Sequence, residues 1–301
     1  MTTPRNTLTQ ALVEHGFCLP AGVPGVQGRT ERFESIVAGF DSLIVEIARE
    51  SGAERVAFPP VLDREVIRRT GYMASFPELC GSIHHYRQNR GRHIDLIDRI
   101  DQGGDWSEYL EQAPLTLCPA ACYPLYPTLT GRLPEGGRLF DLTSYVFRAE
   151  PSEDPARLQA FRMRENVRIG RPSIVRDWRN AWSQHAHSLL CELGLDASLA
   201  VASDPFFGRG GKLLSQNQLA EELKFEILVP ITSTEEPTAV ASFNYHEDRF
   251  ARAFAIETAD EAPAHTACMG FGLERVVLAL IESHGMTVSA WPASVRSKLS
   301  L

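Results

Sequence analysis

The segment GFGLER at residues 270–275 decides how the rest of the chain is interpreted. It stands directly before an apolar run, VVLALI at 276–281, which is typical of a buried helix. The glycines allow the backbone to approach a neighbouring element closely, and Arg275 would lie in the first turn of the helix. Two interpretations stay open at this point. Either Arg275 faces a ligand, or the segment is a glycine-rich turn with a solvated arginine.

A second segment, upstream of the first, joins the end of a predicted strand to a hairpin. FRAE at 147–150 ends the strand, a polar loop follows, and RLQAF at 157–161 begins the next strand. Guanidinium groups bind phosphate oxygens and an aromatic ring stacks on a base, so this hairpin suits a nucleotide. Taken alone, it is equally compatible with a surface hairpin that exposes its arginines.

The pattern around these two segments predicts an α+β domain. Apolar positions from Phe33 to Ile47 recur with helical spacing, and Gly52 follows where a helix C-terminus is expected. A short strand then ends at Pro59. Strands outnumber helices in the middle of the chain without strict alternation, which favours a mainly antiparallel sheet flanked by helices. The other predicted elements are strands at 138–150, 160–169, 224–232 and 238–245 and helices at 172–193, 212–223 and 272–284.

Composition is that of an ordinary globular protein. The 301 residues, 44% apolar and 23% charged, can bury a sizeable core. No run of 18 apolar residues and no signal-peptide pattern occurs, so we expect a cytoplasmic protein without a membrane partner. Thirty basic and 38 acidic residues give a net charge of −8, a poor balance for gripping nucleic acid through its phosphates. The six scattered cysteines argue against a disulfide framework and leave core packing or metal binding open.

Taken together, these segments resemble the class II aminoacyl-tRNA synthetases. FRAE with RLQAF resembles motif 2, GFGLER resembles motif 3, and the helix at 33–51 with its following strand resembles motif 1. The resemblance is to the seryl type: segments 52–78, RLQAFRMRE, LKFEILVP and ASFNYHED each have a counterpart there. It implies a class II catalytic domain over residues 33–301, preceded by an N-terminal lead-in of residues 1–32 that we expect to be loosely ordered.

Two departures from the bacterial seryl pattern point to a metal. Cys122 stands where those enzymes have the glutamate of a Thr-Ala-Glu, and Cys268 precedes Gly270 by two residues. The combination resembles the zinc-containing atypical seryl enzymes and, more closely, their truncated bacterial relatives, the amino acid:carrier protein ligases. By this resemblance Cys122, Glu165 and Cys268 hold one zinc ion per subunit. Two thiolates and one carboxylate leave a fourth position open for the amino group of the substrate.

The same resemblance implies a nucleotide site in which two arginines are catalytic. Arg148 would hold the α-phosphate and the substrate carboxylate, and Glu150 the adenine amino group. Arg157 and Arg275 would hold the outer phosphates. Phe161 would stack on adenine. The residues that it assigns to ATP, which is expected with Mg²⁺, are Arg148, Glu150, Arg157, Leu158, Phe161, Lys224, Ala239, Val240, Ala241, Ser242 and Arg275. Those that it assigns to the amino acid are Cys122, Glu165 and Arg148.

The expected activity is that of an adenylate-forming ligase. It would activate glycine or alanine as the aminoacyl-adenylate and load the phosphopantetheine thiol of a small acidic carrier protein. Residues 1–32 contain no heptads, so we expect no tRNA-binding coiled-coil arm and do not expect tRNA as the acceptor. The alternatives are seryl-type tRNA aminoacylation, a non-catalytic paralogue that binds or regulates, and a ligase with a small-molecule acceptor.

Partner surfaces are predicted at three places. Motif 1 builds a two-fold interface in class II enzymes, and the apolar stripe from Phe33 to Ile47 looks longer than one domain needs, so we expect a homodimer. The basic segments 84–93 and 208–212 are candidate docking sites for the acidic carrier, with solvated loops as the alternative. Cys118, between apolar neighbours, is expected to be a core residue.

Overall fold

The computed structural model describes residues 5–87, 92–207 and 211–301. The helices in these ranges are α1 (Arg5–Glu14), α2 (Glu31–Glu50), α3 (Arg64–Thr70), α4 (Tyr72–Ser75), α5 (His93–Asp101), α6 (Pro172–Glu192), α7 (Gly211–Ala220), α8 (Arg249–Phe254), α9 (Leu273–His284) and α10 (Ala293–Lys298). The strands are β1 (Cys18–Val23), β2 (Val26–Arg29), β3 (Glu54–Val56), β4 (Val61–Asp63), β5 (Ser82–Tyr86), β6 (Leu110–Leu117), β7 (Gly131–Arg132), β8 (Arg138–Phe147), β9 (Ala160–Gly170), β10 (Ser198–Val201), β11 (Lys224–Val229), β12 (Thr238–Glu247), β13 (Ile256–Glu257) and β14 (His265–Gly272).

A seven-stranded sheet forms the centre of the molecule, in the order β10-β11-β12-β14-β9-β8-β3. Its neighbouring strands pair antiparallel except at one edge, where β3 runs parallel to β8. A smaller three-stranded sheet, β4-β6-β5, comes from the segment between β3 and β8. The predicted α+β fold with a mainly antiparallel sheet flanked by helices is therefore confirmed.

The alternation of side chains along β14 divides the interior into two faces. Met269 and Phe271 belong to a large apolar cluster that also contains buried residues of α2, α6 and α9. Cys268 belongs to a second cluster, built from the 121–133 segment, β8, β9 and α8. Helices α2, α6 and α9 cover the face of Met269 and Phe271. The candidate site therefore lies on the opposite face, which carries Cys268.

The predicted helix over 33–51 is α2, and its apolar stripe packs inside its own chain. Phe33, Ile36, Phe40 and Ile44 are buried in the cluster shared with α9. Gly52 follows the helix with a φ of +76°, as its place at the C-terminus predicted. The stripe is thus used within one domain, so the expectation that it is longer than one domain needs is wrong.

The expectation that the N-terminal lead-in is loosely ordered is also wrong for the part that the structure describes. Helix α1 buries Leu8 and Leu12 in the same cluster as α2. Strands β1 and β2 form an antiparallel hairpin, and the backbone carbonyl of Gly25 in its turn accepts from the N–H of Gln159 at 2.8 Å. The β1–β2 hairpin therefore supports the loop between β8 and β9.

The sequence did not predict the small sheet or β14. Strand β14 reads HTACMGFG, and alanine and glycine are poor strand formers. It nevertheless occupies the middle of the large sheet, where it pairs with β12 on one side and β9 on the other. None of the helices in the described ranges has both the length and the apolar content to span a bilayer.

Candidate active site

Strand β9 organises the site by presenting alternate residues to opposite faces. Phe161, Met163 and Glu165 lie on the face of the second cluster or next to it. Arg162 and Arg164 lie on the other face and pair with carboxylates of α2. The predicted nucleotide and metal residues of this strand therefore share one surface, and the intervening arginines anchor the strand from behind.

The predicted metal ligands come together. The sulfurs of Cys122 and Cys268 and a carboxylate oxygen of Glu165 all lie within 4.8 Å of one another, and all three residues are buried. Glu165 also accepts hydrogen bonds from the backbone N–H groups of Ala121 and Cys122, at 2.7 and 3.2 Å. The trio therefore can hold a metal ion, with the carboxylate oriented by the turn that carries the first cysteine.

Burial and mutual contact perturb the acidity of this trio. A hydrogen bond from the Cys122 thiol holds the pKa of Cys268 well below its usual range, and the same hydrogen bond, together with burial, raises the pKa of Cys122. Burial, followed by the charge of Cys268, raises the pKa of Glu165 to about 7. One of the two sulfurs is thus favoured as the thiolate that a soft metal ion prefers.

A buried hydroxyl next to the trio is left without a partner. Tyr126 is fully buried, and its hydroxyl oxygen makes no hydrogen bond with any residue in the described ranges. Burial, and then the neighbouring Cys122 and Cys268, raise the pKa of Tyr126 well above its usual range. A buried polar group without a partner is uncommon in proteins and indicates room for a ligand, ion or water. The trio with this hydroxyl fits a bound metal ion with further ligands.

Two residues that the sequence analysis did not assign also contact the trio. The side-chain amide of Asn244 donates to the sulfur of Cys268 at 3.5 Å, and a ring nitrogen of His246 lies 3.5 Å from the same sulfur. Both belong to the segment ASFNYHED, where they occupy alternate positions of β12 on one face. Strand alternation could have placed them together, but the partner strand β14 was needed to bring Cys268 opposite Asn244.

The predicted nucleotide residues gather around Phe161. The guanidinium carbons of Arg148 and Arg275 lie 5.6 and 6.0 Å from the centre of the Phe161 ring. Arg148 also reaches Met163, whose sulfur is 3.9 Å from its Nη2. Because Met163 lies between Phe161 and Glu165 on the strand, Arg148 stands between the ring and the metal trio.

Arg275 is fixed by backbone acceptors on both sides. Its Nε donates to the carbonyl of Ala156 at 2.8 Å and its Nη1 to the carbonyl of Ala239 at 2.9 Å. Burial, and then the charge of Arg148, lower the pKa of Arg275 to about 10, which leaves it cationic at neutral pH. Two guanidinium groups held close together in a partly buried site are typical of a place that binds an anion.

The other predicted nucleotide residues differ in what they can contribute. Glu150 is partly buried, and its charge acts on Arg275. Arg157 is exposed. Lys224 is buried between two carboxylates, with its Nζ 2.6 Å from Asp204 and 2.9 Å from Glu226. In this arrangement Lys224 is neutralised rather than available to a phosphate.

Residues 239–242 and Leu158 offer mainly backbone or packing to a ligand. Val240 and Ala241 are buried in the cluster of α2, α6 and α9, and Leu158 is buried in the second cluster. The carbonyl of Ala239 is already used by Arg275. The hydroxyl of Ser242 accepts from Asn244 at 3.4 Å, so it belongs to the edge of the metal subsite.

Only part of the two candidate docking segments can be described. Residues 88–91 and 208–210 lie outside the described residues. In the first segment, Arg92 pairs with Glu108 at 3.1 Å and Arg87 lies 3.9 Å from Glu111. The basic character predicted for residues 84–93 is therefore partly offset by Glu111 of the neighbouring strand β6 and by Glu108 just before it. Cys118 is fully buried, as predicted for a core residue.

The chain is similar in sequence to a carrier-protein ligase and, more distantly, to a serine--tRNA ligase. The chain is 45% identical over 282 residues to amino acid--[acyl-carrier-protein] ligase 1 of Bradyrhizobium diazoefficiens, which covers 93% of this chain and 86% of that protein. It is 25% identical to the type-2 serine--tRNA ligase of Methanopyrus kandleri, and it spans about half of that protein's length, 53%. No family model matches the chain.

Solved structures show the same fold. The seryl-tRNA synthetase of M. kandleri, in complex with a tRNA, superimposes with a TM-score of 0.82 at 21% identity, over 99% of this chain and 61% of that one. The seryl-tRNA synthetase of Pyrococcus horikoshii, complexed with ATP, gives a TM-score of 0.70 at 16% identity, over 100% of this chain and 64% of that one. The likeness establishes a class II synthetase catalytic fold.

Proposed function

The chain belongs to the amino acid--[acyl-carrier-protein] ligase family, and from this premise we propose that it activates glycine or alanine with ATP and loads it onto a carrier protein. The acceptor is the phosphopantetheine thiol of a small acidic carrier, and the intermediate is the aminoacyl-adenylate. The family name of the relative supports the carrier, and the similarity to an ATP-bound synthetase supports the nucleotide.

One observation carries this proposal. Strand β9 presents Phe161 and Glu165 on one face, four residues apart, which spans about 13 Å of extended strand. Arg148 stands between them, against Phe161 and Met163. A base stacked on Phe161 and an amino group at the Glu165 end would thus bring an α-phosphate and a carboxylate together beside one guanidinium. This is the geometry that amino acid activation requires.

The first chemical step is an in-line displacement at phosphorus. A carboxylate oxygen of the amino acid attacks the α-phosphorus, the bond to the β-phosphate breaks, and pyrophosphate leaves. Arg148 stabilises the charge on the carboxylate and α-phosphate, and Arg275 holds the outer phosphates, which Mg²⁺ accompanies. The chain supplies position and positive charge here, and no side chain is needed as a nucleophile.

The second step transfers the acyl group. The thiolate sulfur of the carrier attacks the carbonyl carbon of the adenylate, a thioester forms, and AMP leaves with the bonding electrons. A thiol is a good acceptor because even a small thiolate fraction is strongly nucleophilic. Arg148 remains in place to neutralise the departing AMP.

We further propose that the trio of Cys122, Glu165 and Cys268 holds one zinc ion per subunit. Zinc there would supply a Lewis acid that binds the neutral α-amine of the substrate. The donor set fits, because thiolates are soft ligands and the unpartnered hydroxyl of Tyr126 lies beside them. The side chains then select for an α-amine and orient the carboxylate toward Arg148.

For the carrier we propose docking at the basic segment 84–93 together with α5. This helix exposes Ile94 by 70% and Ile97 and Ile100 by 44% each, an apolar strip. The strip follows the basic segment along the chain, and the exposed acids Asp95, Asp98 and Asp101 lie beside it. An apolar patch of the carrier would contact the strip, and the basic residues of segment 84–93, rather than α5 itself, would attract its acidic groups. The segment 208–212, beside the exposed Phe207 and Leu213, is the second candidate.

The experiment that tests the function supplies the enzyme with ATP, labelled glycine or alanine, and one acceptor. The acceptors are a holo-carrier, the same carrier without phosphopantetheine, and total tRNA. Label is expected on the holo-carrier only, through a linkage that hydroxylamine cleaves. The variant Ile94→Asp should raise the KM for the carrier while leaving amino-acid-dependent pyrophosphate exchange unchanged. Efficient labelling of tRNA with none on the carrier would restore the alternative of tRNA aminoacylation.

A further inference from the structure

A bulge in β12 presents a histidine to the metal trio. The pairing of β12 with β14 shifts between Tyr245 and Glu247, so that Glu247 rather than His246 pairs with Thr266. Glu247 adopts a φ of +52°, which is uncommon for a residue with a side chain. Bulges occur next to active sites, where they redirect a side chain. The residue of β12 that has no paired residue on β14 is His246.

Both ring nitrogens of His246 have partners on β14. Its Nε2 lies 3.5 Å from the sulfur of Cys268, and its Nδ1 lies 3.0 Å from the hydroxyl oxygen of Thr266. A metal-bound thiolate has no proton and can only accept, so Nε2 must carry the hydrogen. Nδ1 is then the acceptor, and the Thr266 hydroxyl donates to it. Thr266 is fully buried, so no bulk water competes for that hydrogen bond.

Aromatic contacts hold the ring in this orientation. The rings of His246 and Phe250 meet edge to face, with centres 4.9 Å apart and an interplanar angle of 83°. Tyr126 makes a similar contact at 6.4 Å, and Tyr126 itself stacks on Phe250 at 4.1 Å. The imidazole therefore rests against one side of this stacked pair, with one nitrogen toward the sulfur.

We propose that His246 is a positioning residue for the metal ligand Cys268, with Thr266 selecting the tautomer that donates to the sulfur. The proposal rests on the zinc site proposed above. The amide of Asn244 donates to the same sulfur, so Cys268 receives two hydrogen bonds besides its place in the trio. Such bonds fix the direction of the sulfur lone pairs and spread its charge, which strengthens retention of the metal.

The test measures metal binding rather than turnover. His246→Leu removes both nitrogens, whereas His246→Gln keeps an N–H donor near the position of Nε2. Thr266→Val removes only the hydroxyl. His265→Leu is the matched control, because His265 lies on the same strand as Cys268 but bonds the hydroxyl of Tyr245 on the other face. Each protein is titrated with Zn²⁺ against a chromophoric chelator and with Co²⁺, whose sulfur-to-cobalt absorption reports the thiolate ligands.

Loss of an outer partner of a metal ligand weakens metal affinity by about 10- to 100-fold. We expect that loss in His246→Leu, with a shifted sulfur-to-cobalt band, near-normal binding in His246→Gln, an intermediate loss in Thr266→Val, and none in His265→Leu. Wild-type affinity and spectrum in His246→Leu would overturn the proposal. If that variant does not fold, wild-type behaviour of Thr266→Val overturns it instead. A wild-type protein that binds neither ion overturns the zinc site itself and with it the role of His246.

Discussion

Arg162 donates to Glu274 twice, from its backbone N–H and from Nε, at 2.8 Å in each case. The same guanidinium binds both carboxylate oxygens of Glu34, at 2.6 and 2.8 Å. One arginine of β9 thus joins helix α2 to the first turn of α9, where Glu274 precedes Arg275. The anchor of the nucleotide site is an ion-pair network on the opposite face of the strand.

Replacing Glu274 tests this anchor. Glu274 is 1% exposed and pairs with both Arg162 and Arg29, so Glu274→Gln removes a buried charge that two arginines share. We expect a loss of about 3 kcal/mol in the free energy of unfolding. Glu34→Gln is the matched control on the same guanidinium. The Glu34 side chain is 39% exposed, and its loss should cost less than about 1 kcal/mol. Denaturant titration of both variants measures the difference, and equal losses would contradict the assignment.

The two arginines beside Phe161 give a second prediction. Arg148→Ala and Arg275→Ala should each lower amino-acid-dependent pyrophosphate exchange by at least about 100-fold, because each removes a charge that stabilises the transition state. Arg252→Ala is the control, since Arg252 is exposed and pairs with Asp248 one turn before it. Near-normal exchange in the two site variants would place the ATP site elsewhere.

Much of this arrangement was predictable from the sequence where periodicity or a recognisable segment was present. The stripe of α2 and the strands β8, β9, β11 and β12 lie where they were expected, and the three proposed metal-binding residues lie close together. Local patterns suffice there because each element has a clear apolar face or a segment with a counterpart in the family.

What the sequence did not predict depends on contacts between distant segments. Strand β14 is rich in small residues, and its place in the sheet follows from its neighbours rather than from its own propensity. The proposed role of His246 depends on Thr266 and Cys268 of a partner strand about 20 residues away. The order of the N-terminal hairpin arises from packing on the loop at Gln159, which no local pattern indicates.

Removal of either proposed metal-binding cysteine should remove the metal. Cys122→Ser and Cys268→Ser are expected to lose bound zinc, because two ligands do not retain the ion as three do. Cys118→Ser is the matched control, since Cys118 is equally buried but its thiol donates to the carbonyl of Ala120. Elemental analysis of the purified proteins decides the matter, and unchanged zinc in both site variants would refute the ligand assignment.

The oligomeric state is a separate prediction. The resemblance of α2 and β3 to motif 1 leads us to expect a homodimer with two-fold symmetry. Light scattering at micromolar concentration should therefore give twice the 33.4 kDa mass of the chain. A species of 33.4 kDa would contradict the expectation. Since the apolar stripe of α2 is buried within the chain, the interface would have to use other surfaces.

The N-terminal hairpin provides a test of how the loop between β8 and β9 is held. Gly25 has a φ of +71°, and a Cβ there would lie 3.1 Å from the backbone nitrogen of Gln159 and 3.2 Å from the carbonyl oxygen of Arg157. Gly22 has a similar φ of +74°, with nothing within 4 Å of its Cβ position. Alanine at either position meets the same backbone strain of about 1 kcal/mol, but only Gly25→Ala also pushes on the loop.

We therefore expect Gly25→Ala to raise the KM for ATP several-fold in pyrophosphate exchange, since Arg157 is part of that contact and Phe161 follows it along the chain. Gly22→Ala should keep the wild-type KM. Thermal unfolding of both variants separates the two effects. Gly22→Ala measures the cost of the backbone strain alone, and any further loss of stability in Gly25→Ala comes from displacement of the loop. If the two variants showed the same KM for ATP, the hairpin would support folding alone and would not position the nucleotide loop.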